Sequence, residues 1–297
     1  MSLELSPAQI DDLMHGIKIP PQPQILLDLQ RAQQDPDCTV ETIASIVGRD
    51  AGLAGSVLKT VNSPLFGLSQ QLTSIKQAVT RLGTRSVTSI AQAFSLRCAL
   101  SDSDNAALET FWDNANDVAQ CCTLVANQIG YGNPEEAYCL GLFHNCAVPA
   151  LLMRFPNYLD ILRDAYAQAE NTGKRVIDAE NELLNTNHAV VGYFIARAWN
   201  MPSYFCEVIS EHHNAAQIFN ADDRSEKHKK LLLAVLKIAE HLCQTHSMIG
   251  RQTTDWEWEH NASEIMLYAG LSDYDLENIR AQMQDMGMGK MEASELH

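Results

Sequence analysis

The sequence predicts an all-α protein, and three observations carry that expectation. Apolar residues recur at three- and four-residue intervals, as in Leu53, Val57 and Val61 and in Leu231, Val235, Ile238 and Leu242, which sets each group on one face of a helix. Convincing period-two alternation, the mark of a half-buried strand, is not found. Glycines and prolines stand at many junctions between the periodic runs, where helices start and stop. The 297 residues, 46% of them hydrophobic, suffice for a sizeable core in one large domain or two closely packed ones.

The elements follow in order. The opening segment carries Ile10, Leu13 and Met14 at helical spacing and stops at Ile19-Pro20-Pro21-Gln22-Pro23, where the prolines predict an extended run. Thr39 is placed to cap a helix holding Val40, Ile43, Ala44 and Val47, which Gly48 ends. A second helix runs from Ala51 to Val61 and stops at Asn62-Ser63-Pro64. Further helices are expected over 73–82, 86–100, 107–129, 134–143, 158–170, 176–184, 187–199, 202–212, 228–246, 260–270 and 273–285. The polar stretch from Asn214 to Glu226 reads as a linker, and the tail from Gly287 to His297 as frayed. The expected organisation is an N-terminal extension over 1–19, a main domain over 20–213 with bundles at 20–105 and 106–213, and C-terminal helices over 214–297 completing the second bundle.

Charge narrows the partners. A formal net charge of −16, from 37 acidic against 21 basic side chains, repels phosphate backbones and anionic lipid surfaces. The eight cysteines, at 38, 98, 121, 122, 139, 146, 206 and 243, show no CxxC spacing and read as reduced core thiols of a cytoplasmic protein. Neither a secretory leader nor a membrane-spanning stretch is read, so no membrane is expected. The two helices joined at Gly48 have the outline of a helix-turn-helix, but the second begins Asp50-Ala51-Gly52-Leu53 with only Arg49 and Lys59 nearby. A recognition helix needs basic or amide side chains there, so nucleic acid is not an expected partner. The signatures GxSxG, GxxxxGK[ST] and HExxH are missing.

The histidines carry more. His144 follows an apolar helical run in Gly141-Leu142-Phe143-His144-Asn145, and His188, His212 and His213 lie at the edges of later helices. One histidine on an apolar face is usually a hydrogen-bonded core residue, whereas four spread over several helices raise the chance of a shared site.

The stretch from Pro20 to His213 resembles the HDOD family, non-catalytic relatives of the HD-domain metal-dependent phosphohydrolases. Pro20-Pro21-Gln22-Pro23 is similar to that family's opening motif, and Asp50-Ala51-Gly52-Leu53 to its DPxL turn with alanine in place of proline. Asn62-Ser63-Pro64-Leu65-Phe66-Gly67 resembles its NSPxFG signature, and Ala78-Val79-Thr80-Arg81-Leu82-Gly83 its AIxxLG helix. The resemblance implies that the second bundle is HD-domain-like and that Asn114 stands where catalytic relatives carry their first histidine ligand. It likewise sets His144-Asn145 at the His-Asp doublet and Glu240 at the final aspartate, with His188, His212 and His213 matching the extra histidines of two-metal relatives.

An amide oxygen is neutral and a weaker ligand than a carboxylate, so the implied site is a relic in which metal binding is not expected. No cofactor and no catalytic residue are expected, with a softer divalent metal on the remaining imidazoles kept as the alternative. The function that the resemblance implies is a bacterial signal-transduction or interaction module with protein partners, a second copy of the chain among them. A divergent phosphohydrolase acting on a phosphoester or nucleotide is the competing reading.

Overall fold

Side-chain caps set several helix starts. Thr39 caps α2 (Val40–Val47), its hydroxyl accepting from the Thr42 N–H at 3.2 Å, and Asp50 caps α3 (Ala51–Val61) by accepting from the Leu53 N–H at 2.9 Å. The computed structural model describes residues 14, 16–66, 68, 70–100, 106–220 and 226–288, with backbone alone at 66, 106 and 107. The predicted opening helix around Ile10 and the frayed tail therefore lie mostly outside the described residues.

Asn62 ends α3 and fixes the turn after it. Its side-chain amide donates to the Leu72 carbonyl at 2.8 Å, and its oxygen accepts from the Leu72 N–H at 2.7 Å. A 3-10 turn, Pro64–Phe66, follows; the anchoring role that the sequence suggests for the Phe66 side chain falls outside the described residues. Helix α4 (Ile75–Leu100) is two helical runs joined at Gly83, whose φ of 87° is a left-handed value that favours glycine. The expected pair of helices over 73–82 and 86–100 is this kinked element.

Helix α1 (Gln24–Gln34) starts directly after Pro23 and buries Leu26 and Leu29. The expectations held no helix there, because the proline run masked its start. Helices α2 and α3 pack on α4, and α1 on α2 and α4, which makes the first bundle.

The second bundle centres on α5 (Ala106–Gln128) and α6 (Pro134–Phe143), which lie in close contact. Gly141 makes the approach possible: a Cβ added there meets the Ala119 Cα at 2.6 Å. Gly141→Ala should therefore cost about 1–3 kcal/mol through overpacking, read as a lower denaturant midpoint.

The chain continues through α7 (Ala147–Arg154), α8 (Tyr158–Thr172), α9 (Val176–Leu184), α10 (His188–Ala198) and α11 (Ser203–Glu211). It closes with α12 (Ala215–Asn220), α13 (Lys227–Leu242), α14 (Thr245–Met248), α15 (Trp256–Ala269) and α16 (Asp273–Asp285). Among the described residues every regular element is helical. Helix α7 was not foreseen because Pro149 looks like a breaker, although a proline in the first turn costs no hydrogen bond. Helix α12 occupies part of the stretch read as a linker, and residues 221–225 of that stretch are not described. Helix α13 packs against α5, α6, α11 and α15, with Leu232, Val235, Leu236, Ile238 and Ala239 fully buried.

Trp199 joins the two bundles. Its carbonyl accepts from Gln22 at 3.2 Å, Gln30 at 3.4 Å and Gln92 at 3.1 Å, while its indole N–H donates to the Pro20 carbonyl at 2.9 Å. The extended proline run is thus docked onto the end of α10.

Candidate functional site

Helix ends deliver the four histidines. His144 and His212 are the C-cap residues of α6 and α11, and each satisfies an otherwise unpaired end carbonyl. His144 Nδ1 donates to the Gly141 carbonyl at 2.6 Å and His212 Nδ1 to the Ile209 carbonyl at 2.7 Å. His188 opens α10 behind the Asn187 cap, whose side chain accepts from the Val190 N–H at 2.9 Å. His213 follows His212. All four side chains are buried.

Their outer nitrogens face carboxylates as well as carbonyls. His188 Nδ1 donates to Glu180 Oε2 at 2.5 Å, and Glu180 accepts from the Tyr158 hydroxyl at 2.5 Å through its other oxygen. His213 Nδ1 donates to Glu257 Oε1 at 2.5 Å. Carbonyl and carboxylate oxygens only accept, so each Nδ1 carries a proton, and the Nε2 atoms of His188, His212 and His213 point inward. Those inner nitrogens converge: His188 Nε2 lies 2.9 Å from His213 Nε2 and 3.3 Å from His212 Nε2, and all three sit within 4.8 Å of one another. Lone pairs this close demand a shared proton or a bound cation between them.

A second group adjoins the trio. Glu240 on α13 meets His144 Nε2 at 3.4 Å through Oε1. The Lys237 ammonium pairs with Glu240 Oε2 at 2.8 Å, outside hydrogen-bond alignment, and with Glu257 Oε2 at 2.6 Å. Burial works against the Lys237 charge, yet Glu240 and Glu257 outweigh it and hold the ammonium above its ordinary range. Burial also opposes the Glu240 anion, which Lys237 and His144 nevertheless bring down to about 2. Glu257 reaches about 2 against burial through His213 and Lys237.

Burial, followed by the neighbouring His213, His188, His144 and Lys237, pushes His212 well below the ordinary 6.5, and burial lowers His213 against the pull of Glu257. A histidine depressed in the folded state contributes stability above its unfolded value and loses it as pH falls below 6.5. The carboxylates, held to about 2, keep their contribution far below that point. In EDTA, thermal unfolding temperature should therefore fall between pH 7 and pH 5, and His212→Gln should flatten the fall.

The residues singled out from the sequence divide in two. His144, His188, His212, His213 and Glu240 come together, whereas Asn114 and Asn145 stand apart from the cluster's hydrogen bonds. Asn114 is buried and donates to the Cys243 carbonyl at 3.5 Å, and buried Asn145 Oδ1 has no hydrogen-bond partner. Sequence reasoning missed Glu180, Tyr158, Lys237 and Glu257, which complete the network. A lysine within the apolar run Leu231–Leu242 was a readable sign of a buried charge; the other three carry no spacing signal.

A hard divalent metal of the kind that serves hydrolysis does not fit this arrangement. The two amides supply no charge, and both carboxylates beside His144 and His213 are committed to an ammonium. The three convergent Nε2 atoms, with Nδ1 held by Glu180, Glu257 and Ile209, do fit one imidazole-preferring ion of the Zn or Ni type.

The HDOD domain family model matches residues 19–215. The chain belongs to the HDOD family. An uncharacterized protein of Treponema pallidum (strain Nichols) is 28% identical over 197 residues, which is 66% of this chain but only 38% of that relative. A solved structure from Shewanella amazonensis SB2B, named as a candidate phosphohydrolase, is 23% identical and covers 95% of each chain with a TM-score of 0.66. One from Marinobacter aquaeolei VT8, named as a candidate signal transduction protein, is 20% identical and covers 92% of this HDOD chain and 59% of its own, with a TM-score of 0.62. At these identities the structures speak to the HDOD fold alone.

Proposed function

We propose that this HDOD chain is a cytoplasmic, bacterial signal-transduction module that works by binding protein partners, a second copy included, without turning over a phosphoester. The observation that carries the reading is Lys237, whose ammonium is held by Glu240 and Glu257 beside His144 and His213. In hydrolytic centres built for hard divalent ions, carboxylates hold the ion that activates water, and here the carboxylates beside His144 and His213 are paired to an internal cation. Nucleic acid stays outside the reading, since Arg49 at the start of α3 is paired to Asp28 at 3.0 Å. Among the described residues no helix is long and apolar enough to cross a membrane.

A crosslinking pull-down from native cytosol tests this, using the natural chain and a His144→Ala variant. The reading predicts the same partner proteins in equal yield from both. Capture that depends on His144 would move the function to the histidine cluster and count against it.

A metal-dependent phosphohydrolase is the second reading, favoured by the convergence of His188, His212 and His213. Calorimetric titration of untagged protein with Zn or Ni separates the components: the trio predicts one ion per chain, lost in His212→Ala.

A further inference from the structure

Three helices start close together on the second bundle, at the opposite end of α6 from His144. Glu136 stands in the first turn of α6, Tyr204 in that of α11 and His228 in that of α13, while Tyr131 lies just ahead of α6. The Tyr204 hydroxyl donates to Glu136 Oε1 and the Tyr131 hydroxyl to Glu136 Oε2. His228 Nε2 lies 3.4 Å from the Tyr131 hydroxyl and 3.5 Å from Glu136 Oε2, and its ring meets Tyr204 edge to face with centroids 4.7 Å apart. The Asn133 amide donates to Glu136 Oε2 at 3.4 Å and steadies the carboxylate from behind.

A carboxylate that accepts from one phenol is an ordinary polar contact. Here each oxygen of one carboxylate meets a phenol, and an imidazole nitrogen stands beside one of those pairs. Around an octahedral ion bound at about 2 Å, adjacent donors lie roughly 3 Å apart, a spacing that His228 Nε2 approaches toward both oxygens beside it. Tyr131, Glu136 and Tyr204 are half-buried and His228 is exposed, which leaves a way in from solvent.

The donor chemistry selects the ion. Phenolate and carboxylate are hard oxygen ligands, and two phenolates with one carboxylate carry three negative charges, which a trivalent cation neutralises. A phenol ionises near pH ~10. Burial, together with Glu136, raises both of these phenols further, so an ion that binds at neutral pH has to displace two phenol protons. Ferric iron is a strong enough Lewis acid to do so, whereas magnesium, zinc and nickel are not.

We propose that Tyr131, Glu136, Tyr204 and His228 form a binding site for one ferric ion, separate from the histidine trio and different from it in ligand class. Binding joins the starts of α6, α11 and α13, and each phenol gives its proton to water as its oxygen takes up the ion.

The untagged full chain, freed of metal by a chelator, is titrated with ferric nitrilotriacetate, in which the weak chelator keeps the ion from hydrolysing. One ion per chain is expected, with the visible phenolate-to-iron charge-transfer band that imidazole and carboxylate ligands alone do not give. Tyr131→Phe and Tyr204→Phe each keep the ring and delete one ligand. Each should diminish the band and weaken binding at least about tenfold, since losing even an outer partner of a metal costs roughly 10–100-fold. The double variant should abolish the band, and Tyr166→Phe, which removes the phenol beside His213, should leave it unchanged. A competition on the natural chain needs no variant: excess gallium, trivalent and without that band, should bleach it and leave the ultraviolet difference spectrum of ionised tyrosine. Equimolar zinc should do neither. No visible band with ferric ion, a band undiminished in the double variant, or bleaching by equimolar zinc overturns the proposal.

Discussion

Lys237→Met should lower the unfolding free energy by about 3–5 kcal/mol, although methionine matches the lysine stem in length and apolar character. The loss comes from the partners rather than from the lysine: Glu240 is buried, Glu257 nearly so, and without the ammonium their charges lack compensation. Denaturant unfolding checks the size. A triple variant that adds Glu240→Gln and Glu257→Gln should recover most of the loss, since removing all the charges together removes the unpaired ones. A single-variant loss below about 1 kcal/mol would place Lys237 among ordinary exposed ion pairs.

Trp199→Ala should cost a similar amount, about 3–5 kcal/mol, because the indole is fully buried and its removal leaves a cavity between the bundles. The Pro20 carbonyl loses its donor as well. The carbonyl that collects Gln22, Gln30 and Gln92 belongs to the backbone, so those bonds survive the substitution only if the end of α10 stays in place. Trp199→Phe shifts the balance between the two effects by keeping an aromatic ring, and so most of the packing, while deleting the N–H. Limited proteolysis within residues 16–23 should accelerate in the alanine variant more than in the phenylalanine one.

Helical periodicity made much of this fold legible, and local chemistry explains where it failed. Leu53, Val57 and Val61 are all buried, at 2%, 0% and 0% exposure, as their spacing demands. Thr39 and Asn62 act as the cap and the stop that their positions imply. Helices α1 and α7 escaped notice because a proline stands at or near each start, where it is compatible with a helix yet reads as a break.

The candidate site was legible only in part, for a different reason. Motif resemblance pointed to His144, His188, His212, His213 and Glu240, which the helix ends bring together. It pointed equally to Asn114 and Asn145, which make no hydrogen bond into the cluster. The carboxylates that orient the rings, Glu180 on α9 and Glu257 on α15, reach it through tertiary packing that no local spacing encodes. Lys237 was the exception: a charge on the buried face of α13 had to meet an opposite charge.

The central claim, that an internal cation and neutral amides have left this HDOD chain without hydrolytic chemistry, meets its most direct test in a turnover assay. Untagged protein is incubated with p-nitrophenyl phosphate, bis-p-nitrophenyl phosphate and nucleotides in Mn, Mg, Ni or Zn, beside a His144→Ala variant. The account predicts product release in the natural protein no greater than in the variant under every metal. Release by the natural protein that His144→Ala eliminates would contradict it and make the cluster an active site.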